Sequence, residues 1–469
     1  MKPGTGELHS ALAGGEADLA DAVFGQSHAP ADRDVTVRKA SRLLARLFDG
    51  FACDGAIRLW DGMLVPLGPA RNATPAFTLV FRNPQVIGAM VLGRERLRLA
   101  EAYFRGDIDI EGDFFKALGL KDHLMAIRLS WADRLRVLAP ALRLAWPGRG
   151  DGQLSAAGTP LHADRVKAHS KSENRVAVQF HYDLSNAFYA LWLDRAMVYS
   201  CAYFASPVQG LDEAQAAKLD HICRKLRLQP QDRLLDIGCG WGALLLHAAK
   251  HYGVEAHGVT LSRKQLAVAQ QRIAAAGLGH RVTVELRDYR DLGAARYDKI
   301  ASVGMFEHVG LRNLPAYFDM VHRLLKPGGV FLNHGITHHV EGWKKTLSTE
   351  FINRYIFPDG QLDTVSNVQR VMEASGFEIA DVESLRSHYA LTLRHWVRRL
   401  ESHHAEALQF VNEATYRVWR LYMAACALEF ESGEIGVYQL LATRRDGGVN
   451  PLPLTRAHLY ATGVDKEKS

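Results

Sequence analysis

The run Leu234-Leu235-Asp236-Ile237-Gly238-Cys239-Gly240-Trp241-Gly242 constrains this chain more than any other stretch. An apolar strand passes directly into three closely spaced glycines and then into the helical pattern Ala243 to His251. Glycine accepts positive φ and lets the backbone approach a ligand, so the run reads as strand, tight turn and helix with a ligand at the strand's carboxyl end. Open α/β sheets bind nucleotides at that place. The spacing is G-x-G-x-G and departs from the dinucleotide pattern G-x-G-x-x-G. Asp236, just ahead of the first glycine, suits a ligand that carries an ammonium group.

Apolar strands recur around this loop. Arg233–Ile237, Val254–Thr260, Val282–Leu286, Lys299–Val303 and Val330–His334 alternate with helical stretches. Phe377–Val382 and Ile435–Ala442 follow, joined by long helical patterns that end near Glu431. Such alternation predicts a doubly wound, Rossmann-like α/β sheet. A chain of 469 residues exceeds what one core usually supports, so a smaller α+β domain is expected ahead of it. Helical Ala40–Phe48 and the alternating stretches Ala56–Trp60 and Ala76–Phe81 supply its elements. The expected layout is a flexible leader over 1–35, an N-terminal domain over 36–147, a linker over 148–174, the α/β domain over 175–446 and a tail over 447–469.

Hydrophobic residues at 48% and charged residues at 23% fit a globular protein and exclude disorder throughout. No stretch nears the ~20 apolar residues of a membrane span, so a cytoplasmic location is expected. A net charge of +6 favours nucleic acid or anionic lipid as partner, and fits equally a mildly basic enzyme with neither. Trp131–Trp146 interleaves Arg with Leu, Val, Ala and Trp; as a helix it suits an anionic bilayer or its own domain, and Pro140 disfavours both. The five cysteines, Cys53, Cys201, Cys223, Cys239 and Cys426, lack metal-ligand spacing and read as reduced thiols. His338, His339, His403 and His404 have no acidic partner at ligand spacing, so no metal is expected.

Several separate motifs resemble one family. They include Gln179-Phe180-His181-Tyr182-Asp183-Leu184-Ser185-Asn186, Met197-Val198-Tyr199-Ser200-Cys201-Ala202-Tyr203-Phe204, the glycine loop, Gly304-Met305-Phe306-Glu307-His308-Val309-Gly310 and His334-Gly335-Ile336-Thr337. On these the chain resembles the cyclopropane-fatty-acyl-phospholipid synthases and the related mycolic acid cyclopropane synthases. The likeness is strongest over 175–444. It is weaker in the N-terminal domain, where Glu101-Ala102-Tyr103, Gly106-Asp107-Ile108 and Glu111-Gly112-Asp113 still look like the phospholipid-type members.

The resemblance implies S-adenosylmethionine (SAM) as methyl donor, held by Tyr199, Ser200, Asp236, Gly238, Gly240, Gly242, Thr260, Ser262, Gln265, Asp288 and Tyr289. Thr260, Ser262 and Gln265 stand where methyltransferases usually place an acid for the ribose; hydroxyl and amide groups can make the same hydrogen bonds without charge. The substrates implied are unsaturated acyl chains of membrane phospholipids, met at the inner face of an anionic membrane. Monomer and homodimer both stay open. Methylating an alkene leaves the neighbouring carbon cationic, and closing the ring requires a base for a proton of the new methyl. The resemblance implies a bicarbonate ion as that base, with Cys201, Glu307, His334, Tyr389 and the backbone of Ile336 as ligands. A protonated Glu307 can donate to the anion, or the carboxylate can accept from the bicarbonate hydroxyl. Cys426 aligns with a cysteine once assigned to the family's active site, yet methyl transfer to an alkene needs no covalent thiol.

Two other readings stay open. The same carbocation can lose a different proton and give a methyl- or methylene-branched chain, or the protein can bind lipid and SAM without turnover. The intact set Cys201, Glu307, His334 and Tyr389 speaks against the second. Nucleic-acid methylation is disfavoured by the lack of a Pro-Pro-Tyr type motif and of a basic-aromatic binding module.

Overall fold

The structure, a computed structural model, describes residues 35–48, 53–67, 74–87, 97–121, 184–341, 346–357, 360–448 and 450–460. The basic stretch with Arg136, Arg143 and Arg149, the linker, residues 1–34, the segment Gln179–Asp183 and residues 461–469 lie outside these.

After helix α1 (Val35–Leu47), strands β1 (Gly55–Arg58), β2 (Leu64–Pro66), β3 (Phe77–Phe81) and β4 (Ile108–Gly112) form a sheet in the order β2-β1-β3-β4. β1 and β3 are parallel, and the outer pairings are antiparallel. β2 and β4 were not foreseen, because one is three residues long and the other carries acids at alternate positions. Helix α2 (Arg98–Arg105) ends at Gly106, whose left-handed backbone returns the chain into β4. Helix α3 (Phe114–Leu118) starts where the Asp113 carboxylate accepts from the Lys116 N–H, a cap that satisfies one orphan donor of the first turn.

The α/β domain opens with α4 (Asn186–Trp192) and α5 (Leu211–Lys225). All but the first residue of β5 (Arg233–Ile237) is buried, as expected of a strand covered on both faces. After α6 (Ala243–Tyr252) comes β6 (Glu255–Thr260), and after α7 (Arg263–Ala275) comes β7 (Val282–Leu286). β8 (Tyr297–Val303), α8 (Leu314–Leu324) and β9 (Leu325–His338) follow. Helices α9 (Leu347–Tyr355) and α10 (Val365–Ala374) precede β10 (Phe377–Ser384), and α11 (Arg386–Ser402) and α12 (Glu413–Ser432) precede β11 (Ile435–Arg444). The strand order is β10-β11-β9-β8-β5-β6-β7. β5 through β9 pair in parallel, while β11 runs antiparallel to both β9 and β10. All seven strands expected from the sequence are present. The order reverses between β5 and β8, and ligands of open α/β sheets bind at such a reversal.

The N-terminal sheet does not stand apart. One apolar cluster runs from Val37 and Phe104 through Tyr189 and Trp192 to Trp396 and Trp419. Phe104 packs edge-on to Tyr355 at 5.2 Å and over Phe351 at 6.1 Å, burial worth about 2–3 kcal/mol. Polar contacts frame that joint. Arg417 of α12 donates to the carbonyls of Tyr103 and Ile108, both at 3.1 Å, and pairs with Asp109 at 3.3 Å. Arg420 lies over the Phe114 ring at 3.8 Å, and the Tyr355 hydroxyl donates to Glu101 at 3.0 Å. The family-like motif around Glu101, Tyr103 and Ile108 is thus the surface on which the two domains meet. Burial opposes ionisation of Asp109, but Arg82 and Arg417 outweigh it and hold the carboxyl below its ordinary range. The segment 450–460, expected as a tail, docks on α5 and the turn after it: Arg224 donates to Leu459 O at 2.6 Å and Arg227 to Pro451 O at 2.6 Å.

Replacing the partly buried Arg417 by Met removes a donor from two carbonyls and one of the two arginines at Asp109, and is expected to cost about 2–4 kcal/mol in chemical denaturation. Arg82, the exposed partner of the same aspartate, should cost under about 1 kcal/mol when replaced by Ala. Equal losses would contradict this account of the joint.

Candidate active site

Two cavities meet at the carboxyl edge of the sheet. The first lies over the β5 loop and is lined by Tyr199, Ser200, Asp236, Gly238, Gly240, Thr260, Gln265, Asp288 and Tyr289, nine of the eleven residues expected to hold SAM. Gly238 needs its positive φ of 83° to make the turn, and a Cβ there would press on Met305 at 3.1 Å. Asp236 is buried; desolvation pushes its carboxyl up to about 7, although Lys218 pulls the other way. Such a carboxyl gains from a cationic partner. Thr260 donates to Gln265 Oε1 at 2.8 Å, which orients the amide at the cavity edge.

Three expectations change in detail. Ser262 lies off the cavity wall, because its hydroxyl accepts from the Gln265 N–H and caps α7. Gly242 also stands behind the wall, where its backbone turns into α6 with only 3.3 Å between an added Cβ and Ala269. Asp288 lines the cavity, but both its oxygens also accept from the Arg290 guanidinium, at 2.8 and 2.6 Å, and one caps the following turn.

The second cavity is bounded by Cys201, Glu307, His334, Ile336, Tyr389 and Cys426, with Leu393, Tyr422, Phe430 and Val437 among an otherwise largely apolar lining. All six residues expected at the reacting centre therefore face one chamber, although they come from the α4–α5 connection, the turn after β8, the strands β9 and the helices α11 and α12. Tyr199, Ser200, Gly304 and His308 line both cavities. The Tyr199 ring is wedged among Trp192, Trp396 and Tyr189 at 5.3–5.8 Å.

Inside the chamber the polar groups are few and mutually arranged. Glu307 Oε1 accepts from the Ile336 N–H at 2.7 Å, while Oε2 is buried with no hydrogen-bond partner. The Ile336 amide, expected to bind an anion, is thus already engaged: a buried carboxyl needs at least one donor. Gly335 permits this approach, since a Cβ there would lie 1.9 Å from Phe306 and 3.0 Å from Glu307 Oε1. Burial pushes the Glu307 carboxyl up to about 7. His334 Nδ1 is 3.2 Å from Gln439 Nε2, and His334 Nε2 is buried without a partner. With the Gln439 amide donating, Nδ1 accepts, and the ring proton sits on Nε2 toward the chamber. Desolvation, followed by Lys218 and Lys225, holds this ring well below its ordinary pKa, so it is neutral. Cys201 is fully buried, its thiol pushed up by desolvation and directed at Ala202 O at 3.2 Å. Burial does the same to Cys426, which is a wall thiol and not a thiolate nucleophile.

Sequence reasoning missed Gln439 and Lys218. Gln439 is a polar residue inside an apolar strand, opposite His334 in register. Lys218 shares one face of α5 with Gln215, His221 and Lys225, all 2% exposed or less, and their spacing of three, three and four was the available signal. Among the described residues no group of three or more His, Cys, Asp or Glu side chains forms a metal site, and no helix is long and apolar enough to cross a membrane.

Strand order, loop and cavity are together those of a Rossmann-like, SAM-dependent methyltransferase. Its family follows from comparison: a model described as mycolic acid cyclopropane synthetase matches residues 169–440, and the chain belongs to that family. It is 41% identical over 408 residues to a probable fatty acid methyltransferase of Pseudomonas putida, covering 86% of this chain and 95% of the relative. It is 39% identical over 395 residues to the cyclopropane-fatty-acyl-phospholipid synthase of Escherichia coli K12, covering 83% and 94%. A crystal structure of a mycolic acid cyclopropane synthase complexed with SAH and CTAB superposes with a TM-score of 0.55 at 38% identity, covering 57% of this chain and 98% of that one.

The Glu307 carboxyl sets a pH test. Its pKa in the folded chain, about 7, lies above the ordinary 4.5, so its contribution to stability is present below pH 4.5 and is lost as pH rises through 7. Glu307→Gln removes that loss. The variant should be about 2–3 kcal/mol more stable than the native chain at pH 8 and no more stable at pH 4.5. Denaturation at the two pH values checks this, and a gain independent of pH would exclude a buried, proton-holding carboxyl.

Proposed function

We propose that this enzyme transfers a methylene unit from SAM to the cis double bond of an unsaturated phospholipid acyl chain, forming a cyclopropane ring. The observation that carries the reading is the wall shared by the two cavities at Tyr199, Ser200, Gly304 and His308. One side suits a nucleotide with an amino-acid end, the other an acyl chain. The relative from Escherichia coli, named for phospholipid, aligns over 83% of this chain, whereas cyclopropane mycolic acid synthase 1 of Mycobacterium tuberculosis aligns over 59%. That difference supports a phospholipid substrate, since only the longer alignment leaves room for the N-terminal domain.

SAM supplies an electrophilic methyl, and a bicarbonate ion would supply the base that takes a proton from the methylated carbon chain. The residues present fit such an ion. His334 Nε2 and Glu307 Oε2 are buried polar atoms without partners, and the Tyr389 hydroxyl and Cys201 thiol line the same chamber. A neutral His334 and a protonated Glu307 donate hydrogen bonds to an anion without adding net charge. Ile336 acts through Glu307 by holding its other oxygen. Tyr199, Phe357, Tyr389, Tyr422 and Phe430 surround the chamber with ring faces that favour a passing carbocation and exclude water.

Glu307→Leu and His334→Ala are expected to lower turnover on vesicles of monounsaturated phospholipid by about 10²-fold or more, the usual share of a general base, while SAM binding is retained. Removing bicarbonate should reduce native turnover, and restoring it should recover the rate. Full activity in both variants, or indifference to bicarbonate, would overturn the base site. A branched product in place of a ring would redirect the reading to the methyltransferase outcome in the name of the Pseudomonas relative.

The same reading places the enzyme on anionic bilayers, with the N-terminal domain and the basic stretch Trp131–Trp146 facing lipid; the net charge of +6 supports it. Binding to anionic liposomes should weaken with salt, by roughly 1 kcal/mol for each basic residue released. Sedimentation that ignores both salt and lipid charge would refute the surface contact.

A further inference from the structure

Lys218 has no role in the account so far, yet it is among the most deeply buried side chains in the chain, at 2% exposure. A buried ammonium requires partners. Its Nζ donates to Ser200 Oγ at 2.9 Å, and it forms no ion pair with any described residue. Asp194, the strongest opposite charge acting on it, spends its carboxylate oxygens on the N–H groups of Ala196 and Val198, at 2.8 and 2.7 Å. Lysine carries three donors, so two remain uncommitted to any described residue.

Nor is Lys218 needed to hold the chain locally. Gln215, one turn earlier on α5, already ties down the segment below by donating to Ser200 O at 2.9 Å and to Val198 O at 3.3 Å. What Lys218 does instead is line the cavity above β5, together with Asp236 and Ser200. Asp236 is buried too and has no ion pair with any described residue. A buried cation and a buried acid that share one cavity without pairing are the complement of a zwitterion.

We propose that Lys218 is a positioning residue for the amino-acid end of SAM: its ammonium and the Ser200 hydroxyl it holds face the methionyl carboxylate, while Asp236 takes the ammonium. This rests on the assignment of the β5 cavity to SAM. Anchoring both charges of that end at Ser200 aims the neighbouring sulfonium along the wall common to the two cavities, so Lys218 acts on reactivity through orientation. It touches no reacting atom.

The test compares two neutral thioethers by calorimetry: SAH, which carries the amino-acid end, and 5′-methylthioadenosine, which lacks it. Lys218→Met should weaken SAH by about tenfold or more and leave 5′-methylthioadenosine within about twofold of native. Ser200→Ala should shift SAH alone in the same direction, by less. Equal weakening of both ligands would make Lys218 a structural residue, and unchanged SAH affinity would remove it from the site; either result overturns the proposal. Should Lys218→Met not fold, the same comparison on Ser200→Ala decides. Failure of the cavity assignment is distinguishable: Gly240, at a φ of 54° with open space beyond it, would then accept Val with no loss of either ligand.

Discussion

The backbone from Val198 to Cys201 is the wall on which the whole arrangement depends. One side of it bounds the cavity above the glycine loop, and the other bounds the acyl chamber, so any shift of this segment misaligns both reactants at once. It belongs to no helix or strand. Its placement comes from hydrogen bonds instead: Gln215 from α5 beneath, the Thr392 hydroxyl accepting from Ala202 N–H at 3.0 Å, and Asp194 gathering the N–H groups at its start. A stack of aromatic rings around Tyr199 then fills the space behind it. Low conformational freedom at this point matters because a displacement near 1 Å in a near-attack geometry costs orders of magnitude in rate.

Burial does electrical work as well. The reaction passes from a cationic sulfonium to a carbocation, and water would trap the second. An apolar chamber excludes water but also penalises every charge, which is why Glu307 is pushed toward its neutral form and His334 toward neutrality as well. The chamber therefore presents donors without fixed charge, and the charges felt at His334, those of Lys218 and Lys225 on α5 and of Glu383 on β10, belong to neighbouring elements.

Seven strands of the α/β sheet and the glycine loop were legible because each is a local pattern: a buried apolar run, a breaker, a helix. The β2 and β4 strands of the N-terminal sheet were not, since Leu64–Pro66 is too short to show a period and Ile108–Gly112 is a five-residue run with two acids, Asp109 facing Arg82 and Arg417 and Glu111 facing Arg58. At the site, Cys201, Glu307, His334 and Tyr389 could be named only through motif resemblance. No spacing joins residues separated by as much as the 184 positions between Cys201 and Leu385, whose carbonyl the thiol faces. Ser262 shows a different limit: its hydroxyl stands in the expected loop, and the start of α7 also draws on it, which spacing alone does not reveal. Ile336 is similar, its amide already given to Glu307.

The fate of the carbocation is the step at which related enzymes diverge, and the geometry bears on it. Ring closure needs a base beside the newly added methyl, whereas branching requires the charge to migrate first. In this chamber the unpartnered atoms of Glu307 and His334 come from adjacent parts of one corner, the turn after β8 and the end of β9, where β8 and β9 pair through Val303 and His334. Gly304, one residue past that pairing, lines both cavities. A base held by those two donor groups would therefore sit near the place where the methyl enters, and most of the remaining wall is ring and alkyl surface. A base anchored at that one corner would shorten the life of the cation relative to hydride migration, and that is the physical ground for proposing a ring over a branch.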